Sequence, residues 1–201
     1  MDSLQQALAE LADIRARVSA STRFHGFAPG WLLGTGLLFV AVAAAQSRWH
    51  ALLAGDALRY LAVWAVALGV AAIVIAIAAA RRARALHGVL AGPLLAAAAL
   101  QLLPFVAAQA VMAIVIGRFA PASAWLVPGL WQILTGLIGF VSVSTLPRQI
   151  AWAAAWYFAC GTAVLLQAAT GGALSPWHMG VPFAVGNVLI AGILHWPRAR
   201  I

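Results

Sequence analysis

The sequence predicts an all-α protein: a polytopic transmembrane helix bundle of about six spans with an N-terminal amphipathic cytoplasmic helix. Three observations predict it. Of the 201 residues, 65% are hydrophobic and only 8% charged, with a mean hydropathy of +0.99, whereas soluble domains are roughly one-quarter charged. Charge-poor apolar runs that approach the ~20 residues needed to cross the hydrocarbon core recur along the chain. Those runs lack the alternation of a barrel strand, so helices that satisfy their own backbone bonds in lipid fit them best.

The first element, DSLQQALAELADIRARVSA, is different in kind. Ser3 followed by Gln6 forms a capping-box pattern, and Leu4, Leu8, Leu11, Ile14 and Val18 recur on one helical face. Asp13 and Arg17 add an i,i+4 pair. Residues 1–27 therefore read as a cytoplasmic amphipathic helix and linker, able to lie on the membrane, pack under the bundle or pair with a partner helix. Residues 28–196 form the six-span domain, with spans over 29–46, 60–80, 89–116, 124–145, 150–168 and 177–195, and residues 197–201 form a cytoplasmic tail. The first span ends in a cleavage-like Ala43-Ala44-Ala45, but its polar lead is long for a signal peptide, and it reads as a retained anchor.

Arginine placement sets the orientation. With the N-terminus inside, Arg15, Arg17, Arg23, Arg81, Arg82, Arg84, Arg148, Arg198 and Arg200 face the cytoplasm, and only Arg48, Arg59 and Arg118 lie outside. The formal charge of +8 thus reflects membrane topology and anionic headgroups rather than nucleic-acid binding, because the arginines are scattered between apolar runs. RRAR, Arg81 to Arg84, reads as a stop-transfer anchor, with a lipid-headgroup site as the sharper alternative. Trp31, Trp152 and Trp196 fall near the inner interface and Trp49, Trp125 and Trp177 near the outer, while Trp64, Trp131 and Trp156 fall deeper, as packing residues. The single Cys160 sits in an apolar run and is silent on redox compartment.

The third span is long and contains Pro93 and Pro104, so a tilt or kink is expected there; Pro182 marks a bend in the sixth. PGWLLGTGLLFVAV and PGLWQILTGLIGFVSV share a pattern, as do RYLAVW with RQIAW and PFVAAQAVMAIVI with PFAVGNVLIAGIL, which places Gln109 opposite Asn187. Three matched pairs in order suggest a three-plus-three inverted repeat. Against it, Pro104 lies deep in its span and Pro182 near the start of its own, and Pro93 is the better match in depth.

Chemistry is sparse. No span carries Asp, Glu, Lys or Arg in its interior, which removes the carboxylate relay usual in ion-coupled carriers. HExxH, GxSxG and a Walker phosphate loop are absent, and so is an aspartate cluster for magnesium, so an enzyme is not expected and no catalytic residue is assigned. His25, His87 and His195 share the cytoplasmic face and form a candidate haem or metal trio, but without i,i+4 spacing or an accompanying carboxylate, interfacial histidines are the simpler reading and no cofactor is favoured.

The intramembrane polar set is Thr35, Gln101, Gln109, Gln132, Thr135, Ser142, Thr162, Gln167 and Asn187. Such groups commonly bond helices together, and small-residue pairs (Gly30 with Gly34, Gly88 with Gly92, Gly180 with Ala184) favour close packing within or between subunits. The alternative is a shared cavity in which Asn187, Gln101, Gln109, Gln132 and Thr135 hold a ligand.

STRFHGFAPGW leading into the first span, and VPGLWQILTG followed by a Leu-Pro-Arg turn, resemble a group of small bacterial polytopic inner-membrane proteins to which no activity is assigned. The resemblance implies a bacterial inner-membrane placement and carries over no catalytic residue. Taken together, the expectation is a permease-like or membrane-embedded binding protein for a small molecule or lipid. The alternative is a non-catalytic scaffold or accessory subunit working through a homo-oligomer or a membrane partner.

Overall fold

The computed structural model describes residues 29–171 and 174–195. The expected N-terminal amphipathic helix, His25, Trp196 and the tail lie outside the described residues. Within them the chain is all helical, with seven α-helices, two 3-10 turns and no strand: α1 (Pro29–Arg48), α2 (His50–Leu53), α3 (Ala57–His87), α4 (Ala91–Phe119), α5 (Leu126–Ser142), α6 (Ile150–Ala169) and α7 (Trp177–His195). Five of these, α1, α3, α4, α6 and α7, are long and apolar enough to cross a membrane, and α5 is a shorter apolar helix. The protein is a helical membrane bundle.

Local chemistry fixes the boundaries. Pro29 opens α1, where a missing N–H matters least. Asp56 caps α3 by accepting from the Arg59 backbone N–H at 2.8 Å, a bond of the N-cap type. Expected to end near Ala80, α3 instead runs 31 residues, through RRAR. Arginine and alanine are good helix formers, so the helix outlasts its apolar run and stops at Gly88, whose positive φ of 53° favours glycine and whose N–H bonds the Arg84 carbonyl. The following helix, α4, begins at Ala91, which puts Pro93 in its first turn; only Pro104 lies in the helical interior. The fourth span is corrected the other way. At 17 residues, α5 is about 25 Å long, at the lower limit for a crossing. Beyond Ser142 the backbone forms turns in which the Ser144 and Thr145 hydroxyls donate to the Val141 and Ser142 carbonyls, and Pro147 then prevents resumption.

Each long helix packs against its neighbours in the order α1, α3, α4, α5, α6, α7 and back to α1, a closed ring whose most extensive pairings are α5 with α6 and α1 with α7. Glycine makes both possible. A methyl group added at Gly161 of α6 would lie 2.6 Å from the Gly129 carbonyl oxygen of α5, and one at Gly136 would lie 2.9 Å from the Ala154 oxygen of α6. Between α1 and α7, a methyl group at Gly180 would lie 2.5 Å from the Ala43 Cβ. Of the three small-residue pairs expected to pack, Gly180 with Ala184 works inside the bundle, whereas Gly30, Gly34, Gly88 and Gly92 have open space where a side chain would be. On the opposite side of the ring α4 is lightly held, with Ala91 its only buried residue.

The two ends of the ring differ. Where α1 and α4 finish and α3, α5 and α7 begin, large side chains close the interior: Phe39, Tyr60, Trp64, Val127, Trp131 and Met179 form one buried cluster. The other end, where α1 begins and α7 finishes, is not filled by the described residues.

Candidate functional site

The unfilled part of the ring is a cavity of about 500 Å³ bordered by α5 and all five long helices. Phe39 and Trp131 of the closing cluster border it on one side, and the rest of its wall is largely small or aliphatic, including Ala65, Gly69, Ala72 and Ile75 of α3, Leu102 and Val106 of α4, Ile138 of α5, Ala153 of α6 and Ile190 of α7. Volumes of 300–1,000 Å³ with an apolar wall and a few placed polar groups are typical of small-molecule sites.

The polar groups at the wall are Asn187, Gln109, Thr135, Tyr157 and Ser142, and two amide–hydroxyl pairs organise most of them. Asn187, 6% exposed, donates from Nδ2 to the Thr35 Oγ1 at 2.9 Å, joining α7 to α1. Tyr157 of α6 stands on its other side, its hydroxyl 3.4 Å from both the Asn187 Oδ1 and the Phe183 carbonyl. That distance is long for a hydroxyl donor, so the tyrosine is shared loosely between two acceptors. Across the cavity, Gln109 of α4 donates from Nε2 to the Thr135 Oγ1 and the Trp131 carbonyl of α5, both at 3.2 Å. The Trp131 indole donates back to the Gln109 carbonyl at 3.1 Å, which closes a reciprocal clasp between α4 and α5. Asn187, Gln109, Thr135 and Tyr157 all border the cavity. The repeat alignment matches Thr35 with Thr135 and Asn187 with Gln109, and these are the residues that bond in each pair. The prolines do not match in the same way: Pro104 falls past the third turn of α4 and Pro182 in the second turn of α7.

Two other expected residues work elsewhere. Gln101 is joined to the end of α5, donating to the Val141 carbonyl at 3.0 Å, and does not border the cavity. Gln132 is fully buried at the tight end. Its Nε2 donates at 2.8 Å to the His178 carbonyl, the group that Pro182, four residues on, leaves without its helical N–H. A glutamine on α5 thus repairs the proline defect in α7, and Trp156 adds a bond from its indole to the Pro182 carbonyl at 3.0 Å.

Two participants, Tyr157 and Gln46, escape a sequence reading, whereas Trp64 packs as expected. Tyr157 lies in an apolar run and gives no polar signal. Gln46 stands at the boundary of the first span, yet it is fully buried and donates to the Leu53 and Tyr60 carbonyls, tying α2 and the start of α3 to α1. Trp64 is entirely enclosed. Its neighbours Phe39 and Tyr60, with ring centroids 6.3 and 6.5 Å away, complete the plug.

Of the candidate histidine trio, His195 ends α7 and is exposed, while His25 and the His87 side chain lie outside the described residues. Among the described residues, no group of three or more His, Cys, Asp or Glu stands together in a way that could hold a metal. No family model, no curated protein and no solved structure matches this chain.

Proposed function

We propose that this protein is a membrane-embedded, permease-like binding protein whose central cavity receives a small, largely apolar molecule or a lipid chain. The observation that carries the reading is the cavity itself: about 500 Å³, bordered by α5 and every long helix, with mostly hydrocarbon walls and a few polar side chains, Asn187, Gln109, Thr135, Ser142 and Tyr157. An apolar wall favours an apolar body, and the loosely shared Tyr157 hydroxyl can turn to a single polar group on it. A site at mid-membrane between two similar halves is the arrangement of many carriers, and the Thr35–Asn187 and Thr135–Gln109 bonds support such halves here. Among the described residues no acid or base borders the cavity, which favours binding or passage over catalysis. Nine arginines on one side and the sequence resemblance support a bacterial inner membrane with both termini in the cytoplasm.

The test is extraction of the full chain, purified in mild detergent, followed by mass spectrometry of the extract. The reading expects a specific apolar compound near stoichiometric amounts in the wild type, depleted in Ala72→Phe, which places a ring in the cavity wall. A clean extract from wild type, or equal amounts from both, would overturn it.

One observation favours a second reading, that of a scaffold or accessory subunit. Gly30, Gly34, Gly88 and Gly92 make no close packing contact, so those small-residue faces remain for another copy or a membrane partner. Gly34→Leu, with deletion of residues 1–20, should then dissociate an oligomer or complex; unchanged assembly in native gels would count against it.

A further inference from the structure

Tyr157 differs from the other polar side chains at the cavity wall in how it is bonded. Asn187 donates at 2.9 Å, Gln109 at 3.2 Å, Thr135 at 2.8 Å and Ser142 at 2.7 Å, so each is held to a helix by an ordinary bond. The Tyr157 hydroxyl reaches its two acceptors, the Phe183 carbonyl and the Asn187 Oδ1, only at 3.4 Å, where a hydroxyl donor normally closes to about 2.7–2.8 Å. One of the two is already engaged: inside α7 the Phe183 carbonyl receives the backbone N–H of Asn187, four residues on.

The ring is clamped where it stands. Tyr157 is buried, and it lies against α7 at Gly186, where an added methyl group would fall on the ring and its hydroxyl. Phe183 packs on it with ring centroids 5.3 Å apart and planes tilted by 56°, within the range aromatic pairs prefer. Phe39 of α1 holds Phe183 in turn, at 5.2 Å. What stays free is rotation of the O–H bond about the C–O axis. A buried donor with two long bonds forfeits part of its hydrogen-bond energy, and an acceptor oxygen at bonding distance inside the cavity would recover it.

We infer that Tyr157 is the specificity-determining residue of the cavity and that its ligand is an apolar carbonyl compound, a ketone or an ester, whose oxygen accepts the Tyr157 hydroxyl. The inference rests on the cavity being a binding site. The hydrocarbon wall holds the body of either a ketone or a hydrocarbon of the same shape, so one hydrogen bond separates them. Gly186 is then a positioning residue, because its missing side chain is the seat of the tyrosine ring.

The experiment is calorimetric titration of the full chain, in one mild detergent, with benzophenone and with diphenylmethane, which share a shape and differ by the carbonyl oxygen. The readout is the ratio of the two affinities, in which partition into the detergent cancels between variants. Tyr157→Phe, which removes only the hydroxyl, should lower the preference for the ketone about fivefold, as expected for one neutral hydrogen bond, and should leave diphenylmethane binding unchanged. Gly186→Ala, which displaces the ring, should lower the preference similarly. Thr162→Val, on the same helix with its hydroxyl bonded to the Phe158 carbonyl, should leave the ratio as in the wild type. Binding of both compounds with the same ratio in wild type and Tyr157→Phe, or an equal loss in Thr162→Val, would overturn this inference and leave the cavity reading standing. Binding of neither compound to the wild type would overturn both.

Discussion

The two ends of this helix ring are built from the same helices and have opposite interiors. Along α3, Tyr60, Leu61 and Trp64 point bulk inward at one end, whereas Ala65, Gly69 and Ala72 begin the wall of the cavity toward the other. Polar groups follow the same division. At the tight end Gln46 and Gln132 repair carbonyls freed by a short turn and a proline, so their role is structural. Around the cavity Asn187 bonds Thr35 and Gln109 bonds Thr135, while Asn187, Gln109 and Thr135 remain at its wall. An intramembrane amide is therefore not in itself a sign of a site; what matters is whether the space beside it is filled.

The contrast can be broken by substitution, read as unfolding free energy in mixed detergent. Trp64→Ala, which empties the plug, should destabilise by about 3–5 kcal/mol, whereas Ile75→Ala at the cavity wall should cost well under half of that, because its side chain already borders space. Gln132→Leu should cost about 1–3 kcal/mol by orphaning the His178 carbonyl. Pro182→Ala in the same chain should recover most of that loss, since the restored backbone N–H takes over the bond, and a double-mutant cycle reads the coupling directly. Additive losses would show that glutamine and proline are not linked. Gly161→Ala, which drives a methyl group toward the α5 backbone, should cost about 1–3 kcal/mol. Asn187→Leu should cost only about 0.6 kcal/mol, the usual value for an intramembrane side-chain bond, while depleting any bound compound. Smallest of all, Gly69→Ala meets nothing within 4 Å and should be neutral or stabilising by up to about 1 kcal/mol.

Helix number and most boundaries are legible in the sequence because an apolar run must match the bilayer. The run over 177–195 is the helix itself. Boundaries drift where apolarity and helicity part company: α3 continues through arginines that favour helix, and α5 stops at hydroxyls and a proline although apolar residues continue. Packing was less legible. Among the glycines that bring α5 against α6, Gly129, Gly136 and Gly161 share no four-residue spacing, so a search for GxxxG passes over them and finds Gly30 and Gly34, which touch nothing. The site was legible in part. Asn187, Gln109 and Thr135 could be singled out because amides are expensive in lipid, but their partners could not. Thr35 is 152 residues from Asn187, and only the closure of the ring brings α1 to α7. Tyr157 and the small residues that leave the cavity open carry no local signal, since a void is a property of several helices at once.

The central claim is that one end of the ring is an apolar site and the other is closed, and a crystal of the full chain pressurised with xenon tests it most directly, because apolar cavities take up xenon and packed cores do not. The account predicts density for xenon, or for a lipid chain in its place, among Ile75, Leu102 and Ile138, and none around Trp64 and Met179. A cavity collapsed onto its own side chains, with no density inside the ring, would contradict it.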